Sequence, residues 1–110
     1  MKSVLILLSL LLAAHAMAAD DATMAKGKQV FEYWCATCHG PGQLPGTMAL
    51  GVKYKGSKPA LLEERTDLLP QVTKAFVRKG VSIMPFFRKT EISDADLDAL
   101  AAYLARNRKP

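Results

Sequence analysis

Apolar residues recur at helical spacing in three segments of the chain, which cover about residues 24–37, 68–79 and 94–106. Positions i, i+3, i+4 and i+7 lie on one face of an α-helix, so each segment predicts a helix with one buried side. No segment shows the sustained alternation of apolar and polar residues that indicates a β-strand. The sequence therefore predicts an all-α fold, and the expected inward-facing residues are Gly27, Val30, Phe31, Trp34, Leu69, Val72, Phe76, Leu97, Leu100, Ala101 and Leu104.

Residues that start and stop helices flank these segments. The expected N-caps are Thr23, Asp67 and Ser93. Pro70 falls in the first turn of the second helix, where proline is tolerated, and Gly80 is expected to end that helix. Residues 40–58 contain five of the seven glycines and two prolines, so this region is predicted to be a loop. Residues 81–90, which are apolar and interrupted by a proline, are predicted to form a second loop.

The first 18 residues have the layout of a secretory signal peptide. Lys2 precedes an apolar run over residues 4–14, and Ala16-Met17-Ala18 is the expected cleavage site. An uncleaved membrane anchor is the alternative, although a spanning helix needs about 20 apolar residues. We therefore expect a signal peptide over residues 1–18, a single domain over residues 19–110, a periplasmic location and no membrane span after cleavage.

The charge of the chain limits the classes of partner. The formal net charge is +5, and +4 remains without Lys2 of the predicted signal peptide. The basic residues are scattered in small groups, and the chain has no long basic tract or nucleic-acid-binding motif, so we expect no nucleic-acid partner. A solvated surface explains these groups most simply, and a docking surface for an acidic protein is the alternative.

The segment Cys35-Ala36-Thr37-Cys38-His39 matches the Cys-x-x-Cys-His signature of covalent haem attachment. Each thiol forms a thioether with one vinyl group of the porphyrin, and the adjacent histidine then lies beneath the iron as its proximal ligand. A thioredoxin-like dithiol needs a preceding strand, and a zinc site needs further ligands, whereas His15 in the leader is the only other histidine. A disulfide between the two cysteines would be strained. The motif therefore predicts one haem c held by Cys35, Cys38 and His39.

The sixth ligand of the iron decides what such a haem does. Beyond the leader the methionines are Met24, Met48 and Met84. Met84 is the expected ligand because it lies 45 residues after His39 and precedes Pro85, which stiffens the loop that presents its sulfur. Met48 as the ligand, or Met84 as ordinary core filler, are the alternatives.

A haem iron with both axial positions filled has no position open to oxygen or peroxide. The chain also has no nucleophile–base constellation, because no second histidine remains beyond the leader. We therefore expect an electron-transfer protein and not an enzyme. A haem enzyme or gas sensor with an open iron position is the alternative.

The chain resembles the class I cytochromes c across nearly all of the predicted domain. The residues that carry the resemblance are Gly27, Phe31, the haem motif, Met84-Pro85 and the final helix with Leu100-Ala101-Ala102-Tyr103-Leu104. The resemblance implies short helices and long loops wrapped around one haem, with the first and last helices crossing where Gly27 and Phe31 pack near Tyr103. It also implies a proline carbonyl that holds the second nitrogen of the proximal histidine, with Pro45 as the candidate and Pro41 as the alternative.

The stretch Phe76-Val77-Arg78-Lys79-Gly80-Val81-Ser82-Ile83-Met84-Pro85-Phe86 is similar to the cytochrome subunits of flavocytochromes such as 4-cresol dehydrogenase and eugenol hydroxylase. This resemblance implies a partner subunit that contains FAD, oxidises a 4-alkylphenol and passes electrons singly to the cytochrome. The expected downstream acceptor is another cytochrome, a copper protein or an oxidase. The chain departs from those subunits by a longer insert over residues 52–65. A free shuttle that serves a quinoprotein dehydrogenase or a terminal oxidase is the alternative.

Overall fold

The computed structural model describes residues 17–109, and within this range the only β-type pairing is an isolated bridge between Val81 and Met84. The predicted all-α class is therefore confirmed for the described residues. After a first helix, α1, which we take as residues 17–39, the chain forms α2 (Pro45–Tyr54), a 3₁₀ turn (Leu62–Glu64), α3 (Pro70–Lys79) and α4 (Asp94–Ala105).

Helix α1 is continuous but changes its winding before the cysteines. Residues 17–30 are α-helical, Phe31–Cys35 form a π-helical turn, and Ala36–His39 return to the α form. A π turn inserts one extra residue and so rotates everything that follows it around the helix axis. The turn thus sets the direction in which the haem motif leaves the core.

Helices α1 and α4 cross at Gly27, as the resemblance predicts. A Cβ atom at position 27 would lie 2.2 Å from the carbonyl oxygen of Ala99 and 2.5 Å from the Cβ of Tyr103. Only a residue without a side chain allows the two backbones to approach this closely. One turn later, the rings of Phe31 and Tyr103 pack with their centroids 6.3 Å apart. The predicted contact between the first and last helices is confirmed.

Helix α4 forms as its sequence predicts. Ser93 caps it, since its hydroxyl accepts a hydrogen bond of 3.1 Å from the backbone N–H of Asp96. The four apolar positions of the predicted stripe are buried, together with Ala99 and Tyr103. The side chains of Phe31, Ile92 and Leu100 are fully buried and form the centre of the core.

Two of the three predicted N-caps are wrong, because neither residue lies at the start of its helix. Thr23 lies inside α1, where its hydroxyl donates to the carbonyl oxygen of Ala19 at 2.9 Å. Asp67 does not cap α3, which has Leu69 at its N-cap position and Pro70 as its first residue. The predicted C-terminal end at Gly80 is confirmed, with a φ of 68° that suits glycine.

The prediction of a loop over residues 40–58 is wrong, because α2 occupies its centre. Pro45 begins this helix, and proline is favoured there because its missing N–H has no partner in a first turn. Lys55 ends the helix in the left-handed conformation, with φ 48°, and its N–H donates to the carbonyl oxygen of Gly51. The density of glycine and proline indicated a loop, whereas these residues mark the ends and the close contacts of a short helix.

Helix α3 buries a different face from the one predicted. Thr73 and Val77 point into the core, whereas the predicted stripe of Leu69, Val72 and Phe76 is 36–44% exposed. The helical period was correctly recognised, but periodicity does not say whether polypeptide or another apolar surface covers a stripe.

The insert over residues 52–65 is fastened to α4. The hydroxyl of Tyr103 donates a hydrogen bond to the carboxylate of Glu63. The side chains of Arg106 and Asn107 donate to the carbonyl oxygen of Glu63 at 3.1 Å and 2.7 Å. The insert is therefore an integral part of the domain and closes over the C-terminal helix.

A buried guanidinium completes this insert. Arg65 is only 6% exposed; its Nε and Nη2 donate to the carboxylate of Asp67 at 2.6 Å and 3.0 Å, and its Nη1 donates to the hydroxyl of Tyr54 at 2.9 Å. Lys58 adds a third bond to Asp67 at 2.7 Å. These two cations hold the pKa of the Asp67 carboxyl well below its usual range.

The predicted signal peptide lies almost entirely outside the described residues, so it and the domain boundaries at residues 19 and 110 stay predictions. From residue 17 to residue 109, no helix combines the length and the apolar character that crossing a membrane requires.

Candidate haem site

The two cysteines lie on the last turns of α1. Cys35 ends the π turn and is half-buried, whereas Cys38 is exposed, and both are free thiols. Burial, and then the nearby Cys38, raise the pKa of Cys35 to about 12, so this group is an uncharged thiol. Residues three positions apart on a helix share a side, so both sulfurs can reach one flat ligand.

His39 follows directly and is covered on one side by α2. Its Nδ1 is buried and has no hydrogen-bond partner within residues 17–109. A Cβ at Gly46 would lie 2.8 Å from this Nδ1 and 2.7 Å from the adjacent Cε1, so the backbone of α2 rests directly on the ring. Burial lowers the pKa of His39 and favours the neutral imidazole, which is the form that binds metals. Nε2 is then the nitrogen that can reach an iron.

The loop that carries Met84 is fastened to the end of α3. Val81 and Met84 exchange backbone hydrogen bonds of 3.1 Å and 2.9 Å. The N–H of Phe87 donates to the carbonyl oxygen of Val77 at 2.8 Å, and Arg78 donates to the carbonyl oxygen of Phe87 at 3.1 Å. Met84 itself is partly buried against the core. The backbone on both sides of Met84 is therefore held in place by hydrogen bonds within the loop and to α3.

An aromatic contact joins this loop to the attachment helix. Trp34 and Phe87 meet edge to face, with ring centroids 5.8 Å apart and planes at 74°. Trp34 immediately precedes Cys35, and Phe87 lies three residues after Met84. The fold thus brings together two segments that are about 50 residues apart in the sequence.

The predicted hydrogen bond from His39 to a proline carbonyl is not formed between the described residues. Pro45 is the first residue of α2, directly before the glycine that covers His39, and Pro41 lies in the turn that precedes it. The bond from Nδ1 to Pro45 or Pro41 therefore stays a prediction for the haem-loaded protein. Met48, the alternative ligand, lies on α2 and is 52% exposed.

The residues present fit a covalent haem. Two free thiols stand at the required spacing, next to an imidazole with one nitrogen covered. The apolar stripe on α3, formed by Leu69, Val72 and Phe76, is 36–44% exposed, and a porphyrin is an apolar surface that would cover the exposed part of such a stripe. No group of three or more histidine, cysteine or acidic side chains suited to a bare metal ion occurs in the described part of the chain.

Sequence reasoning missed the role of Gly46, because it assigned this residue to a loop. The hydroxyl of Thr47 donates to the carbonyl oxygen of Gly40 at 2.7 Å and ties the first turn of α2 to the turn after the motif. A signal was present in the sequence: a proline that can begin a helix is followed by a glycine seven residues after the histidine. Only the tertiary structure shows that this glycine meets the ring.

Comparison with known proteins gives the family. The family described as "Cytochrome C oxidase, cbb3-type, subunit III" matches residues 22–104. A subunit named "Cbb3-type cytochrome c oxidase subunit CcoP", from Azospirillum sp. (strain B510), is 34% identical over 99 residues, which cover 84% of this chain and 31% of that subunit. The chain thus spans about a third of the length of this relative. No solved structure matches the chain. The matched family carries haem c covalently and transfers electrons, as the motif predicts.

The comparisons agree with the c-type cytochrome expected from the haem motif and do not reach the flavocytochrome subfamily. The all-α fold, the Cys-x-x-Cys-His motif at the end of α1 and the match over residues 22–104 agree with one another. The chain belongs to the cytochrome c family of the cbb3-type oxidase subunit III and is an electron-transfer protein with covalent haem c.

Proposed function

We propose that this chain is an exported, periplasmic single-electron carrier in which Cys35 and Cys38 hold the haem and His39 and Met84 bind its iron. When bound, haem c supplies a one-electron ferric–ferrous couple, and a thioether opposite an imidazole raises its reduction potential. The polypeptide holds the sulfur and the imidazole in place and keeps water away from them. The contact between Trp34 and Phe87 is the observation that best supports this proposal, because it joins the Met84 loop to the attachment helix.

The position of α2 favours Met84 over Met48 as the second ligand. Gly46 covers His39, so Met48, two residues further along the same helix, starts from the side of the proximal histidine. The sixth ligand has to come from the opposite side of the haem plane. Met84 belongs to a separate loop that is fastened to α3, and it is more buried than Met48.

A matched pair of variants tests the ligand assignment. Met84→Ala should keep the covalent haem but free one iron position, so that the ferrous protein binds carbon monoxide and the ferric protein binds cyanide. Met48→Ala removes an equally long side chain and should leave both iron states closed to these ligands. If Met84→Ala stays closed and Met48→Ala opens, Met48 is the ligand and the assignment is wrong.

We propose a dehydrogenase with a FAD subunit that oxidises 4-alkylphenols as the electron donor. The similarity of residues 76–86 to the cytochrome subunits of such flavocytochromes supports this partner. Ile83 and Phe86 flank Met84 and are 78% and 60% exposed, which supports a protein contact close to the iron. Arg88 and Lys89 are exposed beside them and form ion pairs with Glu91 and Asp94 at 3.5 Å and 2.8 Å, so the exposed surface next to Met84 is mainly apolar.

A second candidate function is electron delivery within or to a terminal oxidase. The family match and the CcoP relative favour it, since both carry the name of a cbb3-type cytochrome c oxidase subunit. The similarity covers only 31% of that relative, so it concerns the haem domain and not the rest of the subunit. In this role the chain gives electrons to the oxidase and receives them from another carrier.

One anaerobic and one aerobic mixing experiment distinguish the two roles. In the first, the oxidised cytochrome is mixed without oxygen with the purified FAD subunit of 4-cresol dehydrogenase and 4-cresol, and its reduction is followed in the α band. Fast reduction supports the flavoprotein partner. If reduction is no faster than without the FAD subunit, while membranes with a cbb3-type oxidase rapidly oxidise the reduced cytochrome in air, the oxidase role is correct.

A surface variant with a matched control locates the docking site. Ile83→Ser with Phe86→Ser should slow the faster of the two reactions at least severalfold, because hot spots at interfaces are buried apolar anchors. Val52→Ser, at a similarly exposed apolar position on α2, should leave the rate unchanged. Equal rates for all three proteins would place the docking site elsewhere.

A further inference from the structure

Gly46 lies closer to the haem-binding histidine than any side chain could. A Cβ built at this position would stand 2.7 Å from the carbonyl oxygen of Cys38, 2.7 Å from Cε1 of His39 and 2.8 Å from its Nδ1. Carbon atoms in protein interiors meet their neighbours at about 3.5–4.0 Å. One of these neighbours is backbone and two are ring atoms, so none can bend aside as the end of a flexible side chain could.

The contact also isolates one nitrogen of the ring. Nδ1 of His39 is buried and makes no hydrogen bond to residues 17–109, although most buried polar atoms in proteins have a partner. Thr47 strengthens the contact, since its hydroxyl donates to the carbonyl oxygen of Gly40 at 2.7 Å. The first turn of α2 is therefore tied to the chain immediately before and after the imidazole and covers its Nδ1 edge.

We propose that Gly46 is a positioning residue that sets the orientation of the His39 imidazole and shields its Nδ1 from water, and that it thereby helps to set the reduction potential. This role depends on the proposed function, because it requires His39 to be the proximal ligand. Contacts of this kind around a metal-bound histidine fix the ring and tune the metal.

A methyl group at position 46 moves either the ring or the helix. If α2 moves outward, Pro45 at its first position moves with it, which weakens the predicted hydrogen bond from Nδ1 to the Pro45 carbonyl and makes the imidazole a weaker donor to iron. A weaker donor stabilises the ferric state less, so the potential should rise. Changes to such contacts commonly alter metal-site properties by 10- to 100-fold, and a tenfold change in a one-electron equilibrium is about 59 mV.

The variant Gly46→Ala has a control in the same helix. A Cβ at Gly51 would meet only the Cβ of Ala60, at 3.9 Å, so Gly51→Ala makes the same substitution without a clash. Potentiometric titration of the haem-loaded proteins should show a rise of about tenfold in the equilibrium constant for reduction of Gly46→Ala and no change for Gly51→Ala. Proton NMR of the ferric proteins should show a changed pattern of haem methyl shifts in Gly46→Ala alone, because this pattern reports the orientation of the axial ligands.

Thr47→Val keeps the test decisive if Gly46→Ala fails to fold. This variant adds no clash but removes the hydroxyl that holds α2 against the ring, so it should shift the potential in the same direction by a smaller amount. A folded Gly46→Ala with unchanged potential and methyl shifts, or a Thr47→Val with an unchanged potential where the glycine variant does not fold, would overturn the proposal. Failure of the proposed function is seen separately, as a wild-type spectrum without histidine–methionine ligation.

Discussion

Substitution of Gly27 by alanine tests the contact that organises the fold. The added Cβ would stand 2.2 Å from the carbonyl oxygen of Ala99 and 2.5 Å from the Cβ of Tyr103. Both neighbours belong to α4 and neither is the end of a flexible side chain. Helices α1 and α4 would therefore have to separate by about an ångström to restore contact distances of about 3.5 Å.

The expected loss of stability follows from two opposing effects. Overpacking a close contact costs about 1–3 kcal/mol, and two clashes with a neighbouring helix place Gly27→Ala at the upper end of this range. Alanine regains about 1 kcal/mol because it favours the helix more than glycine does. The net loss is about 2 kcal/mol, which lowers the Tm of a domain of this size by about 8–16 °C.

Thermal and denaturant unfolding of the haem-loaded protein, followed by far-UV circular dichroism, measures this loss. Gly51→Ala is the control, because the same substitution meets nothing closer than 3.9 Å there and should gain up to about 1 kcal/mol. The two alanine variants should thus differ in sign. A Gly27→Ala protein that is as stable as the Gly51→Ala protein would refute the close crossing of α1 and α4.

Three further predictions concern stability. Ser93→Ala removes the cap of α4 and should cost about 1 kcal/mol, or about 4–8 °C in Tm. Arg65 lowers the pKa of Asp67 in the folded state, so the Asp67 carboxylate stabilises the fold above pH ~4, and this contribution is lost as the pH falls further. The unfolding free energies of wild type and Asp67→Asn should therefore converge in acid. A difference that stays constant with pH would contradict the ion pair. Cys35→Ala combined with Cys38→Ala should abolish covalent haem and most of the helical signal, because the apolar stripe on α3, which is 36–44% exposed to solvent, then has no porphyrin to pack against. A stably folded double variant would disprove this.

The regular parts of the fold could be predicted because their signals are local. The stripe of α4 and its Ser93 cap lie within one short segment, and so do the core-facing positions of α1. Helix α2 was missed because Pro45, Gly46 and Gly51 weaken any helical prediction, and the contact with His39 that makes a glycine useful there is not local. The cap at Asp67 was mispredicted because α3 begins three residues later, at Pro70, and the carboxylate of Asp67 binds Arg65 instead.

The residues of the haem site can also be separated into those with a local sequence signal and those that depend on tertiary contacts. The attachment motif is contiguous in the sequence, so Cys35, Cys38 and His39 could be identified from spacing alone. The exposed stripe on α3 shows what periodicity leaves out, since it identifies an apolar face without identifying the surface that covers it. The meeting of Trp34 with Phe87, which joins the Met84 loop to α1, depends on the tertiary structure.

The optical spectrum of the haem-loaded protein, recorded oxidised and then reduced, tests the central claim most directly. Ligation by His39 and Met84 predicts sharp α and β bands in the reduced protein and the weak far-red absorption of ferric haem bound to methionine sulfur, which is lost in Met84→Ala. A broad high-spin spectrum without the far-red band would mean an open iron position, and the chain would then be a haem enzyme or sensor instead of an electron carrier.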